Sequence, residues 1–101
     1  MKIENILNQK FTVQVTGGEA RLLYRRGPEN SLDLYSTQVP VEARGQNIAE
    51  KLVLEALKFA QDEGVKVIPT CPYVHRWFEK HPEEAGRLLK PLSETRPSHG
   101  S

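Results

Sequence analysis

Two short stretches hold the residues most capable of chemistry. The first is Arg44-Gly45-Gln46-Asn47-Ile48-Ala49, which follows Val39-Pro40-Val41. A helix starting here would offer backbone N–H groups without intrahelical acceptors, at the positive end of its dipole. Such an end binds phosphate when the loop permits close approach, and Gly45 has no side chain to obstruct it. Arg44 can add a charge-assisted contact. One glycine and one arginine also occur in ordinary strand-to-helix turns, so spacing alone leaves both readings open. The second stretch is Cys71-Pro72-Tyr73. A lone cysteine usually packs as a small hydrophobe. Pro72 favours the first turn of a helix, which puts Cys71 at a helix start, where the dipole stabilises thiolate.

The other polar residues carry weaker signals. His75 and His81 are six apart and His99 lies near the C-terminus, a spacing that does not gather ligands on one helix face. They read as solvated or capping residues. A single cysteine allows neither an internal disulfide nor a zinc site of several thiolates, so no metal is expected. Trp77 and Phe78 read as core. Arg21, Arg25 and Arg26 form a small basic cluster, read first as a solvated edge.

The elements that must position these residues follow from periodicity. Phe11, Val13 and Val15 alternate with polar residues, the mark of a half-buried strand. Gly17-Gly18 suits a tight hairpin turn. Ala20, Leu22 and Tyr24 give a second strand. Gly27-Pro28-Glu29-Asn30 is a second turn signal. Leu32, Leu34 and Ser36 then alternate with Asp33, Tyr35 and Thr37 in a third strand that runs into Val39. From Ile48 the period changes: Ile48, Ala49, Leu52, Val53, Ala56, Leu57 and Ala60 trace one helical stripe. Gly64 suits a C-cap, so a helix is predicted over Gln46–Glu63. Val65–Ile68 reads as a strand parallel to an earlier one, ended by Pro69. Short helices are expected after Pro72 and Pro82. The fold class is therefore mixed α/β: an N-terminal antiparallel meander, a long helix, a short parallel strand and short C-terminal helices. One domain over 1–91 is expected, with 92–101 as a frayed tail.

The 44–49 segment, continued by Glu50-Lys51-Leu52-Val53, resembles the acetyl-CoA pyrophosphate loop of the GNAT superfamily of N-acetyltransferases, whose form is Arg/Gln-x-x-Gly-x-Gly/Ala. Arg44 and Ala49 match. Asn47 replaces the central glycine; asparagine is the next best residue for positive φ, and its backbone N–H survives. Val39-Pro40, the long helix, Pro69-Thr70-Cys71-Pro72-Tyr73-Val74 and His81-Pro82 extend the resemblance to a small single-domain subfamily, the YjdJ-like proteins. The match runs from about Ala20 to Glu83. It implies a GNAT-like fold with the pantetheine arm of acetyl-CoA against the backbone from Thr37 to Val41, facing the end of Val65–Ile68. Val39, Val41 and Arg44 to Ala49 are then the cofactor-binding residues. It also implies a thiol, Cys71, near the acetyl group, and Tyr73 as a proton donor to the departing thiolate. Packing is an equal reading for Tyr73. Subfamily members often carry His and Glu in the strand before Val-Pro, where this chain has Ser36 and Gln38. A base would have to be Glu42, His75, a water or the Cys71 thiolate, and none is assigned. The arginine cluster would touch an acidic acceptor or the ribose phosphate.

Composition limits the alternatives. The chain has 101 residues, 38% apolar and 27% charged, enough for one core. The 14 basic and 13 acidic residues leave a net charge of +1, which disfavours nucleic acid or an anionic membrane as partner. No apolar run reaches the ~20 residues of a membrane span. The start lacks the apolar stretch of a signal peptide, so a cytoplasmic protein is expected. The expectation is an enzyme that transfers the acetyl group of acetyl-CoA to an unidentified amine, directly or through Cys71. The rival is a binding module that holds acyl-CoA without turnover.

Overall fold

The structure, a computed structural model, describes residues 2–90. Its sheet has the order β1-β2-β3-β4-β5, with β1 at Glu4–Ile6, β2 at Lys10–Val15, β3 at Gly18–Arg26, β4 at Leu32–Gln38 and β5 at Val67–Ile68. The first four strands pair antiparallel and β5 pairs parallel to β4. Three helices follow β4 or β5: α1 at Ile48–Glu63, α2 at Pro72–Glu79 and α3 at Pro82–Leu88. The meander, long helix, parallel strand and short helices are as the periodicity predicts. Strand β1 has no alternating pattern and was not foreseen. It pairs with β2, and the Tyr24 hydroxyl donates to Asn5 Oδ1 at 2.7 Å.

One face of the sheet is buried. Phe11, Val13, Ala20, Leu22, Tyr24, Leu32 and Leu34 all lie there, and the α1 stripe of Ile48, Leu52, Val53, Ala56, Leu57 and Ala60 completes the core. Phe11 and Tyr24 stack at 5.0 Å between centroids, with Phe59 of α1 edge-on to Phe11 at 5.9 Å. Burying aromatics of this size contributes more to the core than any other single term. Trp77 and Phe78 are core residues, as expected.

Two boundaries differ from the periodic reading. Helix α1 begins at Ile48 rather than Gln46, because Gly45 (φ +87°) and Asn47 (φ +60°) adopt left-handed backbone that no helix contains. Strand β5 is shorter than Val65–Ile68. Val65 instead closes α1: its N–H donates to Ala60 O at 3.0 Å while Gly64 N–H donates to Gln61 O at 3.1 Å. That 6→1 and 5→2 pair satisfies two terminal carbonyls.

Strand β4 carries an irregularity that alternation could not reveal. Tyr24 pairs with Leu34 but Leu23 pairs with Ser36, leaving Tyr35 unmatched. A residue inserted this way reverses the facing of everything beyond it. Thr37, opposite the buried Leu22, therefore shares the inner face with Leu34. The expectation that Ser36 shares Leu34's face is corrected accordingly.

After α3 the chain returns to β5, where Leu89 bridges Val67 and Lys90 N–H donates to Val67 O at 2.9 Å. The tail expected at 92–101 lies outside the described residues, so the 1–91 boundary stays an expectation. Among the described residues no helix is long and apolar enough to cross a membrane.

Candidate functional site

The site is built where two parallel strands part. Strand β5 meets β4 only at Leu32↔Val67 and Asp33↔Ile68. The next backbone bond across the gap is Cys71 N–H to Leu34 O at 2.8 Å. Beyond it β4 runs on to Gln38 while the segment after β5 turns into α2, so the β4 edge is open. Proline fixes both exits from the sheet. Pro40 precedes the 3-10 turn Val41–Ala43, and Pro72 occupies the first turn of α2.

Two cavities lie along this opening. The larger, about 590 Å³, is lined by Thr37, Gln38, Tyr73 and Arg76, together with Val39, Arg44 and Ala49. The smaller, about 180 Å³, shares those last three and adds Ala43, Gly45, Asn47 and Ile48. The shared residues make them one groove, in the size range of small-molecule sites.

At the loop end of the groove the helix start is uncapped. Asn47 is the N-cap residue, its side chain makes no capping hydrogen bond, and its carbonyl accepts from Lys51 N–H at 3.1 Å. The N–H groups of the first turn therefore remain available to an acceptor from outside. A Cβ placed on Gly45 would meet nothing within 4 Å, so the glycine faces open space. Its φ of +87° is a second reason for glycine. Arg44 Nε approaches only Val39 O, at 3.4 Å, and Arg44 is exposed. No carboxylate is bonded to it among the described residues.

At the other end are Cys71, Tyr73 and Arg76. Cys71 is the N-cap residue of α2, as expected of a helix start, but it is buried with 4% of its surface exposed. Its Sγ lies 3.2 Å from Thr37 Oγ1. It sits behind Thr37 rather than in the groove lining. Tyr73 lines the groove and is half-buried. Burial pushes its phenol above the ordinary value, the Glu50 carboxylate adds to that, and the Arg76 guanidinium opposes it. The Glu50 carboxylate accepts from Trp77 Nε1 at 3.3 Å and lines a separate cavity between the helices.

The remaining residues named from sequence divide clearly. Val39, Arg44, Gly45, Asn47, Ile48 and Ala49 are brought together on the groove. Val41 (67% exposed) and Gln46 line neither cavity. Glu42 lies against Gly17 of the β2–β3 turn, and His75 is near Glu79 at 3.7 Å, so neither candidate base lines the groove. His81 stacks on Trp77 at 3.8 Å. The arginine cluster is engaged: Arg21 with Glu19, Arg25 with Asp33 and Arg26 with Glu63, at 2.9, 3.1 and 2.9 Å. Arg76 is the site residue that sequence reasoning missed. Its signal was its place three residues after Tyr73, on the same helical face.

Known proteins bear the same imprint. Residues 10–87 match the profile of a family described as GCN5-related N-acetyl-transferase. Protein NATD1 of Danio rerio is 32% identical over 85 residues, covering 80% of this chain and 77% of that protein. Protein NATD1 of Homo sapiens is 36% identical over 76 residues, covering 73% and 67%. A GCN5-like protein from Staphylococcus aureus, solved by NMR, superposes with a TM-score of 0.67 at 20% identity, over 97% of this chain and 96% of that one. The splayed strands, the open loop and a profile that spans most of the chain lead to one conclusion: this chain belongs to the GCN5-related N-acetyltransferase family.

Proposed function

We propose that the protein binds acetyl-CoA along the groove and transfers its acetyl group to an amine. The observation that carries this reading is the continuous groove between β4 and α2, with an uncapped helix start at one end and a phenol at the other. The pyrophosphate would lie on the backbone N–H groups from Gly45 to Ala49, assisted by Arg44. Backbone donors near Val39 would polarise the thioester carbonyl, where charge develops in the tetrahedral intermediate.

Tyr73 supplies the proton for the departing thiolate. A phenol carries its proton at neutral pH, the state an acid requires, and burial and Glu50 shift this one further the same way. Cys71 is the alternative carrier, taking the acetyl group first and passing it on. Its burial beside Thr37 favours direct transfer. In the cytoplasm, where this reading sets the protein, acetyl-CoA is the co-substrate and no metal is needed.

Incubation with acetyl-CoA, reading free CoA and intact protein mass together, tests the reading. Release of CoA that depends on an added amine and falls strongly in Tyr73→Phe supports it. A mass increase that Cys71→Ala removes, with turnover lost, moves the reaction to the thiol route. Tight CoA binding with no release with any amine leaves an acyl-CoA-binding module.

A further inference from the structure

The proposed transfer leaves the acceptor undefined, and the charge of the groove narrows it. The larger cavity is lined by two guanidiniums, Arg44 and Arg76, one phenol, one amide and the Thr37 hydroxyl. No carboxylate lines it; Glu50, whose charge reaches Tyr73, accepts from Trp77 Nε1 and lines another cavity. Gln38 is held by Arg21, whose guanidinium donates to its Oε1, so its amide is committed to the sheet. An alkylammonium entering this cavity meets positive charge. It would also have to shed a proton with no lining side chain to take it. At the ordinary lysine pKa of ~10.4, only about one amine in a thousand is neutral near pH 7.4.

Arg76 differs from Arg44 in place. Arg44 lines both cavities, whereas Arg76 lines only the larger one, away from the uncapped helix start. It is exposed on α2, and no ion pair engages it among the described residues. With the phosphates on the loop, Arg76 is a cation left for the other ligand.

We propose that the acceptor is a small aromatic amine bearing a carboxylate, and that Arg76 selects it by pairing with that carboxylate. This rests on the acetyl-transfer reading. An aromatic amine is already neutral near pH 7, because its lone pair is shared with the ring. Its nitrogen attacks the thioester carbonyl carbon and the C–S bond breaks. The thiolate takes the Tyr73 proton, and the proton lost by nitrogen restores the phenol. The products are an N-acetyl amide and free CoA, so atoms and charge balance.

The test compares 4-aminobenzoate, aniline and Nα-acetyl-lysine, whose ε-amine is free, as acceptors in the full chain with acetyl-CoA, while CoA affinity is measured separately by calorimetry. The expected order of kcat/KM is aminobenzoate, then aniline, then lysine, with at least a tenfold advantage of the first over the last. Arg76→Ala should lower the aminobenzoate-to-aniline ratio of kcat/KM roughly tenfold, the worth of one charge-assisted contact, a ratio in which any effect on the shared Tyr73 proton donor cancels. Arg76→Lys should recover part of the loss. Lysine acetylated as fast as aminobenzoate overturns the proposal. So does an Arg76→Ala that slows both aromatic amines equally and raises the KM for acetyl-CoA, because Arg76 then serves the cofactor. Normal CoA binding with no acetylation of any of the three overturns the acceptor class alone. Absence of CoA binding overturns the cofactor reading with it.

Discussion

The β1–β3 hairpin region and the β4–α1–α2 junction handle their polar groups in opposite ways. In the hairpin region charges are paid off locally. Glu19 gathers Lys10 at 2.8 Å, Arg21 at 2.9 Å and the Thr12 hydroxyl, and these hold its carboxyl down to about 2. At the junction Arg44 and Arg76 have no carboxylate among the described residues, a strand edge is open and a helix start is uncapped. Polar groups that only support the fold find partners within the chain. Those at the junction are left for a partner that the chain does not supply.

The largest expected effect sharpens the hairpin side. Phe11→Ala removes the ring stacked on Tyr24 and should cost about 3–5 kcal/mol of stability, read by chemical denaturation. A loss below about 1 kcal/mol would mean that this region is not the anchor of the core. Gly45→Val addresses the junction. It fills open space that the pyrophosphate would use, and left-handed backbone costs a non-glycine residue roughly 1–2 kcal/mol. We expect a folded protein whose CoA affinity drops by at least about tenfold, with the wild-type amide shifts on CoA addition centred on Gly45–Ala49. Full affinity in the folded variant would break the comparison.

A third effect is pH-dependent and belongs to the hairpin. The folded Glu19 carboxyl is depressed from 4.5 to about 2, so its contribution is present above about 4.5 and is lost as pH falls toward 2. With solvent screening of a partly exposed group, the loss is about 1 kcal/mol. Glu19→Gln should flatten that part of the acid unfolding profile. An unchanged profile would show that the ion-pair cluster adds nothing. The smallest effect is Arg44→Ala, which removes one charge from a site made mostly of backbone. CoA affinity should fall a few-fold, more at low salt than at high salt, with the melting temperature unchanged. A loss as large as that of Gly45→Val would make the site side-chain-built rather than backbone-built.

Much of this site was legible along the chain because it is continuous in sequence. All eight residues named for the cofactor lie within 39–49, and six of them line the groove. Asparagine at 47 reads as a residue tolerant of positive φ and adopts it; glycine at 45, read for its missing side chain, adopts positive φ as well. Val41 and Gln46 are implied by the resemblance as part of a continuous segment, and a place in that segment does not fix which residues face a cavity. Arg76 escapes a reading along the chain because its one local signal, the three-residue spacing from Tyr73, is shared by many solvated helix residues. Its importance comes from lining the same cavity as Arg44, on an element far from it in sequence.

Alternation and helical periodicity by themselves determined the meander, α1 and its C-cap, and the order of elements, because each depends on which residues share a face over a few turns or pleats. Tertiary structure decided what periodicity cannot carry. The unmatched Tyr35 reverses the facing of β4, so that Thr37 rather than Ser36 turns inward and meets the Cys71 sulfur at 3.2 Å. That contact, and the parting of β4 from β5 after Asp33 and Ile68, join residues more than thirty positions apart. A local pattern fixes which side of a strand is apolar, but only packing of the whole sheet against α1 and α2 fixes where a strand slips by one residue and where two strands stop pairing.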